Sequence, residues 1–270
     1  MNDPGGAPME SIEETVTEGV VRRRFDLEVE GRQVPGIRWA PEGAEPTATI
    51  LVGHGGFQSK EAPNIVEMAA QLAHECGYAT IALDAPGHGE RRTEEQIRQQ
   101  EEVLRRLREG GVDEEMRRGR ERVVDEGTRT GSDDSGPARP PRMVREWRAL
   151  LDALEGSDPA TGPYGYWGVS MGARYGIPLV AIEPRIRCAV LGLFGLGPDP
   201  AFRATVESIT IPLLFLFQYD DELMTPESGL ALWAAFGSEE KTMHINPGPH
   251  VGIPVFERDA SAAFYRRHLG

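Results

Sequence analysis

Positive charge is scarce in this chain of 270 residues. Aspartate and glutamate number 43 against 29 lysines and arginines, so the formal net charge is −14 at pH 7. A nucleic acid or an anionic membrane surface is bound through a basic face, and this balance argues against both as partners. Almost all of the basic residues are arginines, and Lys60 and Lys241 are the only lysines. We therefore predict no nucleic-acid partner and no membrane partner.

Cysteine is nearly absent. Cys76 falls at a predicted helix end and Cys188 in a predicted strand, where a free thiol behaves as a small buried hydrophobic side chain. No sequence feature supports a disulfide between them. Residues 1–14 are acidic and lack both the basic segment and the apolar segment of a signal peptide. These features predict a cytoplasmic protein in a reducing compartment.

Long hydrophobic runs are missing as well, and none approaches the length of a membrane span. Short strand-like runs alternate instead with helical patterns of ten or more residues. This order is typical of an α/β fold with a mostly parallel central sheet and helices on both faces. The predicted strands are 20–30, 34–39, 47–52, 79–83, 164–169, 188–194, 212–218 and 241–245, the first two forming an antiparallel hairpin. The predicted helices are 63–75, 143–154, 172–183, 226–236 and 259–268.

A highly charged stretch interrupts this alternation between residues 90 and 142. Two amphipathic helices are predicted there, at 94–109 and 113–126, followed by a loop at 128–141. Each helix has a thin apolar stripe that needs a surface to cover. We predict that 90–142 is a helical lid insertion, with a partner subunit as the alternative surface. Outside it, we expect a disordered leader at 1–17 and one domain at 18–270, of unknown oligomeric state.

The most informative short motif is Gly-Val-Ser-Met-Gly at 168–172. It matches the G-x-S-x-G nucleophile elbow and lies between a predicted strand and a predicted helix. The elbow is a sharp, strained turn that raises the serine above the sheet, and its glycines avoid collisions between neighbouring Cβ atoms. The pattern alone is weak evidence in a glycine-rich chain, so the interpretation depends on the surrounding residues.

A serine hydroxyl becomes a nucleophile when a base takes its proton and a third group holds that base. The sequence offers both groups after the motif. Asp221 lies between Asp220 and Glu222 in a loop after the strand 212–218, and His250 is the one histidine of a turn-rich loop after the strand 241–245. The chain order is serine, acid, histidine.

With these residues the chain resembles the α/β-hydrolase superfamily over about 20–269. The resemblance includes His-Gly-Gly-Phe at 54–57 and Asp-Ala-Pro-Gly-His-Gly at 84–89. Many members carry a lid later in the chain, whereas here 195–209 is short and the insertion comes early. Together with the loop 54–61, this is loosely similar to dienelactone hydrolases and acyl esterases.

The resemblance implies a role for each matching residue. Ser170 corresponds to the nucleophile and His250 to the base. Asp221 corresponds to the acid, with Asp220 the second choice and Glu222 the third.

The resemblance also implies an oxyanion hole, formed by the backbone N–H groups of Gly56 and Met171. Phe57 is the alternative to Gly56 if the register differs by one residue. His54 and His88 are expected to shape their loops through hydrogen bonds. We predict no cofactor and no metal, since the histidine and cysteine spacings match no metal site.

The leading functional hypothesis is a serine hydrolase that cleaves a carboxylic ester of a small or medium soluble substrate through an acyl-enzyme. A second hypothesis keeps the same triad, which would then act on a thioester, lactone, peptide or C–C bond instead of a simple ester. A third, of another class, is a non-catalytic ligand-binding protein on a hydrolase scaffold, because a fold does not fix a function.

Overall fold

The computed structural model describes residues 9–110, 140–157 and 162–270. Its strands are β1 (Met9–Thr17), β2 (Val20–Val29), β3 (Arg32–Pro41), β4 (Thr49–Gly53), β5 (Ala79–Leu83), β6 (Tyr164–Val169), β7 (Ile186–Gly192), β8 (Leu213–Gln218) and β9 (Lys241–Asn246). They form one sheet in the order β1-β2-β3-β5-β4-β6-β7-β8-β9. The first four strands in this order, β1, β2, β3 and β5, pair with one another in an antiparallel manner. All later pairs, from β5 with β4 to β8 with β9, are parallel. The predicted α/β fold with a mostly parallel sheet is confirmed.

Helices cover both faces of this sheet. They are α1 (Pro63–Cys76), α2 (Glu94–Gly110), α3 (Arg142–Ser157), α4 (Met171–Ile182), α5 (Pro200–Glu207), α6 (Pro226–Ala235) and α7 (Phe256–Leu269). One core cluster packs α3 to α6 on one face, and a second packs α1 and α7 on the other. Neighbouring residues of β4 point to opposite clusters, Leu51 to the first and Val52 to the second. Both faces are therefore buried, as expected for parallel strands.

Helix α1 shows how local sequence determines these elements. Its buried residues Ile65, Met68, Ala69 and Leu72 recur at helical spacing, and Pro63 occupies its first turn. The helix ends at Gly77, which adopts a left-handed φ of 68°.

The N-terminal prediction needs a correction. Residues 9–17, expected to be part of a disordered leader, form β1 and pair with β2. This segment is acidic and exposed, and Ile12 and Val16 are each 50% exposed, so it carries no signal of burial. It is held instead by ladder hydrogen bonds and by ion pairs such as Glu14 with Arg23. Residues 1–8 lie outside the described ranges.

Within the 90–142 insertion, helix α2 agrees with the predicted helix at 94–109. The second predicted helix, 113–126, and most of the loop at 128–141 lie outside the described residues, so the lid remains a prediction. Helix α5 was not predicted, because only Phe202 and Val206 of its eight residues are buried. In the described part of the chain, no helix is both long and apolar enough to cross a membrane.

Both cysteines are free. Cys188 is buried in β7, and burial raises the pKa of its thiol to about 12. Cys76 is only partly buried, contrary to the prediction, because it lies at the end of α1, where it accepts a hydrogen bond from Arg266.

Candidate active site

Four loops meet at the carboxyl edge of the parallel strands. They follow β4, β6, β8 and β9 and carry His54, Ser170, Asp221 and His250 respectively. Ligands of open α/β sheets bind at this edge, because the strand ends leave a crevice there. The fold thus brings together residues that lie far apart in the sequence.

Ser170 sits on a strained turn between β6 and α4. Its φ of 56° and ψ of −118° lie in a region that non-glycine residues rarely adopt. Such a conformation costs about 1–3 kcal/mol and persists where the surrounding structure enforces it. The N–H of Ser170 donates to the carbonyl of Gly192 at 2.9 Å, which ties the turn to β7.

The two motif glycines are sterically required at this turn. A Cβ on Gly172 would overlap the carbonyl oxygen of Gly53, and a Cβ on Gly168 would lie 2.7 Å from the carbonyl group of Gly172. The helix therefore approaches β4 and β6 more closely than any side chain would permit, in agreement with the expectation for a nucleophile elbow.

A continuous hydrogen-bond chain joins Ser170, His250 and Asp221. Nε2 of His250 lies 2.8 Å from Oγ of Ser170, and Nδ1 lies 2.7 Å from Oδ2 of Asp221. The side chains of His250 and Asp221 are 6% and 0% exposed, whereas Ser170 is partly accessible. A hydroxyl that can be reached is thus bonded to a base that is shielded from water.

The second oxygen of Asp221 fixes the orientation of its carboxylate. Oδ1 accepts the N–H of Leu223 at 2.7 Å and that of Met224 at 2.9 Å. Oδ2 is thereby directed at the imidazole. Of the acids that the sequence left open, Asp221 alone contacts the ring of His250.

The other two acids contact the backbone of the histidine loop. Oδ2 of Asp220 accepts the N–H of Gly248, and Oε2 of Glu222 accepts the N–H of His250, both at 2.9 Å. The sequence offers both residues as alternatives to Asp221 and does not reveal these contacts. No sequence signal distinguishes consecutive acids of one loop.

The loop after β4 is the candidate oxyanion loop. A hydrogen bond from the N–H of Gln58 to the carbonyl of Gly55 closes a turn, with Gly56 and Phe57 at its centre. Phe57 has a φ of 62°, a left-handed conformation that favours glycine. Gly56 has open space around its Cα, since an added Cβ would meet no atom within 4 Å. The expected candidates Gly56 and Phe57 therefore share one exposed turn.

His54 holds this loop in place as a neutral ring. Nε2 accepts the N–H of Ala85 at 3.0 Å, and Nδ1 lies 2.8 Å from the carbonyl oxygen of Gly55, to which it donates. Burial lowers the pKa of His54 to about 4, so the ring is uncharged at neutral pH. This arrangement agrees with the predicted structural role.

Comparisons with known proteins place the chain in a family. A PEG-bound complex of a cold-adapted esterase from an Arctic intertidal metagenomic library is 31% identical, with a TM-score of 0.73, over 96% of this chain and 98% of that chain. The chain belongs to the α/β-hydrolase superfamily. The native structure of an esterase from the same source is 28% identical, with a TM-score of 0.72, over 97% of this chain and 100% of that chain.

More distant structures share the α/β-hydrolase fold alone. The esterase Pf2001 of Pyrococcus furiosus is 16% identical, with a TM-score of 0.60, over 98% of this chain and 94% of that chain. No protein-family model matches the chain, and the comparison with curated proteins gives no significant match.

A buried ion pair connects the candidate oxyanion loop of this α/β-hydrolase to the loop after β5. Nζ of Lys60 lies 2.8 Å from Oδ2 of Asp84, and their side chains are 1% and 0% exposed. Oδ1 of Asp84 also accepts the N–H of Lys60, and Oδ2 that of Glu90. The pKa of Glu90 is lowered to about 2, chiefly by a hydrogen bond from Arg24. Sequence reasoning missed this pair, although Lys60 is one of only two lysines.

Two further histidines of the α/β-hydrolase, His88 and His244, have structural surroundings. Nδ1 of His88 lies 3.0 Å from the carbonyl oxygen of Pro86, and burial lowers its pKa. His244 bonds to Glu257, which also accepts from Asn246. Among the described residues, no group of three or more histidine, cysteine or acidic side chains could hold a metal ion.

A polar cavity of about 510 Å³ opens beside β2 and β3, away from the loops that carry the Ser170 hydrogen-bond chain. Several of its arginines are already paired. Arg24 bonds to Glu90, while Arg91 and Arg142 both bond to the buried Glu146. These ion pairs connect the two ends of the 90–142 insertion to the body of the protein.

Proposed function

We propose that this α/β-hydrolase is a serine esterase that cleaves a carboxylic ester of a small or medium soluble substrate through an acyl-enzyme. The observation that carries the proposal is the unbroken chain from Oγ of Ser170 through His250 to Asp221, at 2.8 Å and 2.7 Å. The 31% identical relative is described as an esterase, which supports the ester as the bond cleaved. A small-molecule substrate and a cytoplasmic location remain predictions from the sequence.

In the first half of the reaction, Oγ of Ser170 attacks the acyl carbon while Nε2 of His250 takes its proton. The ester carbonyl oxygen becomes an oxyanion in a tetrahedral intermediate. When this collapses, the bond to the alcohol oxygen breaks, and His250 returns the proton to the leaving alcohol. Asp221 stays ionised, holds Nδ1 as the protonated nitrogen and stabilises the imidazolium. The products are an alcohol and an acyl group on Ser170.

In the second half, water takes the place of the alcohol. Nε2 of His250 removes a proton from water as its oxygen attacks the acyl carbon. Collapse of the second intermediate breaks the bond to Oγ, and the proton passes from His250 back to Ser170. The carboxylic acid leaves and the enzyme is restored.

We assign stabilisation of the oxyanion to the N–H groups of Met171 and Gly56. Met171 is the first residue of α4, where the N–H has no acceptor within the helix and the helix dipole favours negative charge. Gly56 lies on the exposed turn of the loop after β4. Removing one such donor typically slows catalysis by about 100-fold or more.

Hydrolysis of p-nitrophenyl acyl esters of increasing chain length tests the proposal. Wild type is compared with Ser170→Ala and with Ser11→Ala, which changes an exposed serine on the edge strand β1. We expect turnover in wild type and Ser11→Ala and none in Ser170→Ala. The optimum chain length then measures the size of the acyl site.

Three results would contradict the proposal. Turnover that survives in Ser170→Ala would exclude this serine as the nucleophile. Reaction of Ser170 with a fluorophosphonate without ester turnover would mean that the triad serves another acyl donor, such as a thioester, lactone or peptide. Neither labelling nor turnover would favour the non-catalytic binding protein.

A further inference from the structure

The loop that carries His250 is closed by a backbone hydrogen bond from the N–H of Gly252 to the carbonyl of Pro249 at 2.8 Å. It runs from Pro247 to the start of α7 and contains three prolines, which have no N–H to donate. Val251, next to the histidine, is 88% exposed and contributes little to the core. The position of the imidazole relative to the sheet therefore depends also on bonds from outside the loop.

Those bonds come from Gln218, the last residue of β8, and from residues 220–222 directly after the strand. Nε2 of Gln218 donates to the carbonyl of Gly252 at 2.9 Å, and Asp220 accepts the N–H of Gly248 at 2.9 Å. The loop is thereby held on both sides of His250. The central bond, to His250 itself, comes from Glu222.

His250 is bonded at two points by two consecutive residues. Asp221 accepts at Nδ1 of the ring, and Oε2 of Glu222 accepts the backbone N–H at 2.9 Å. One bond sets the tautomer and the direction of the ring, while the other fixes the backbone from which the ring extends. Because Nε2 must stay within hydrogen-bond reach of Oγ of Ser170, a shift of the backbone would disturb the proton transfer.

We infer that Glu222 is a positioning residue, which holds the backbone of His250 so that its imidazole stays in register with Ser170. The inference rests on the function proposed above. The hydrogen bond of Glu222 goes to the backbone N–H of His250, whereas the imidazole bonds to Asp221 and Ser170, so Glu222 acts on the reaction through His250. Its carboxylate makes a charge-assisted hydrogen bond, which is stronger than a bond between neutral groups.

Steady-state kinetics of Glu222→Ala and Glu222→Gln test this role. The alanine variant removes the acceptor, and a misplacement of about 1 Å can cost about 100-fold, so we expect kcat to fall about 10- to 100-fold. KM should change less than about twofold, because substrate binding is not altered. The glutamine variant keeps an amide oxygen that can accept the same N–H, so most of the lost rate should return.

Glu227→Ala is the matched control. Glu227 is an exposed glutamate, as Glu222 is, and it lies a little further along the chain in the first turn of α6. We expect this variant to keep wild-type kcat and to have a thermal midpoint similar to that of Glu222→Ala. The rate of fluorophosphonate labelling of Ser170 should fall in Glu222→Ala as kcat does, since it reports nucleophile activation without turnover.

Three results would overturn the inference. They are a kcat for Glu222→Ala within about twofold of wild type, a glutamine variant as slow as the alanine variant, and an equal loss in the Glu227→Ala control. Failure of the proposed function has a different signature, because wild type itself would then show neither turnover nor labelling at Ser170.

Discussion

Replacing Asp221 with asparagine should inactivate the enzyme without unfolding it. Oδ1 of Asp221 accepts two backbone N–H groups, those of Leu223 and Met224. The asparagine carbonyl oxygen has to occupy this position, because an NH₂ group there would face two donors. Its NH₂ group then points at Nδ1 of His250, where Oδ2 of the aspartate now accepts.

The size of the effect follows from the tautomer of His250. Facing an NH₂ donor, Nδ1 becomes the acceptor and the ring proton moves to Nε2. Nε2 can then no longer take the proton of Ser170. A triad held in the wrong tautomer loses about 10⁴-fold in kcat, which corresponds to about 5 kcal/mol of transition-state stabilisation.

The assay is kcat on the best p-nitrophenyl ester, with circular dichroism to show that the variant is folded. Asp220→Asn is the control, because Asp220 bonds to the N–H of Gly248 and an asparagine oxygen can keep that bond. We expect the control to lose less than about tenfold, the effect of weakening one hydrogen bond. A large loss in Asp220→Asn together with an active Asp221→Asn would refute the assignment of the acid.

Three further variants, at Gly172, Lys60 and His54, test the packing and hydrogen bonds around the triad by thermal or denaturant unfolding. Gly172→Ala should lower the free energy of unfolding by about 1–3 kcal/mol through overpacking. The control Gly197→Ala should not, because an added Cβ there meets no atom within 4 Å. Equal stabilities of the two variants would contradict the close approach at the elbow. Lys60→Met should cost about 3–5 kcal/mol, because it leaves the buried carboxylate of Asp84 without its cation, and a loss below about 1 kcal/mol would contradict the ion pair's role. The pKa of His54 is about 4 in the folded protein and about 6.5 in an unfolded chain. Between these pH values the imidazole is protonated in the unfolded chain but not in the folded protein. The free energy of unfolding therefore falls as the pH drops from 6.5 towards 4. Wild type should therefore lose about 2 kcal/mol more than His54→Gln between pH 7 and pH 5, and equal losses would contradict a neutral buried ring.

The sequence predicted most of the fold because parallel strands and their helices leave strong local patterns. Strand β6 has the predicted bounds, and α1 ends within one residue of its prediction. Strand β1 was missed because its pairing partner β2, and not its own composition, makes it a strand. Element α5 was missed because a short helix with two buried residues has almost no periodic signal.

The candidate site was predictable where residue type and chain order define a role. Ser170 and His250 follow from the elbow motif and from the single histidine of its loop. The choice between Asp221 and its neighbours depends on side-chain directions within one loop, which sequence alone does not specify. The contacts of Lys60 with Asp84 and of Glu222 with His250 join separate strand ends, so they arise only when the sheet is assembled.

The most direct test of the account is to identify the residue that a fluorophosphonate modifies, using mass spectrometry of the intact protein and of its peptides. We expect one adduct in wild type, located on Ser170, and a strongly reduced rate of labelling in His250→Ala, because the hydroxyl is then without its base. An adduct on another residue, or an unchanged labelling rate in His250→Ala, would contradict the claim that His250 activates Ser170.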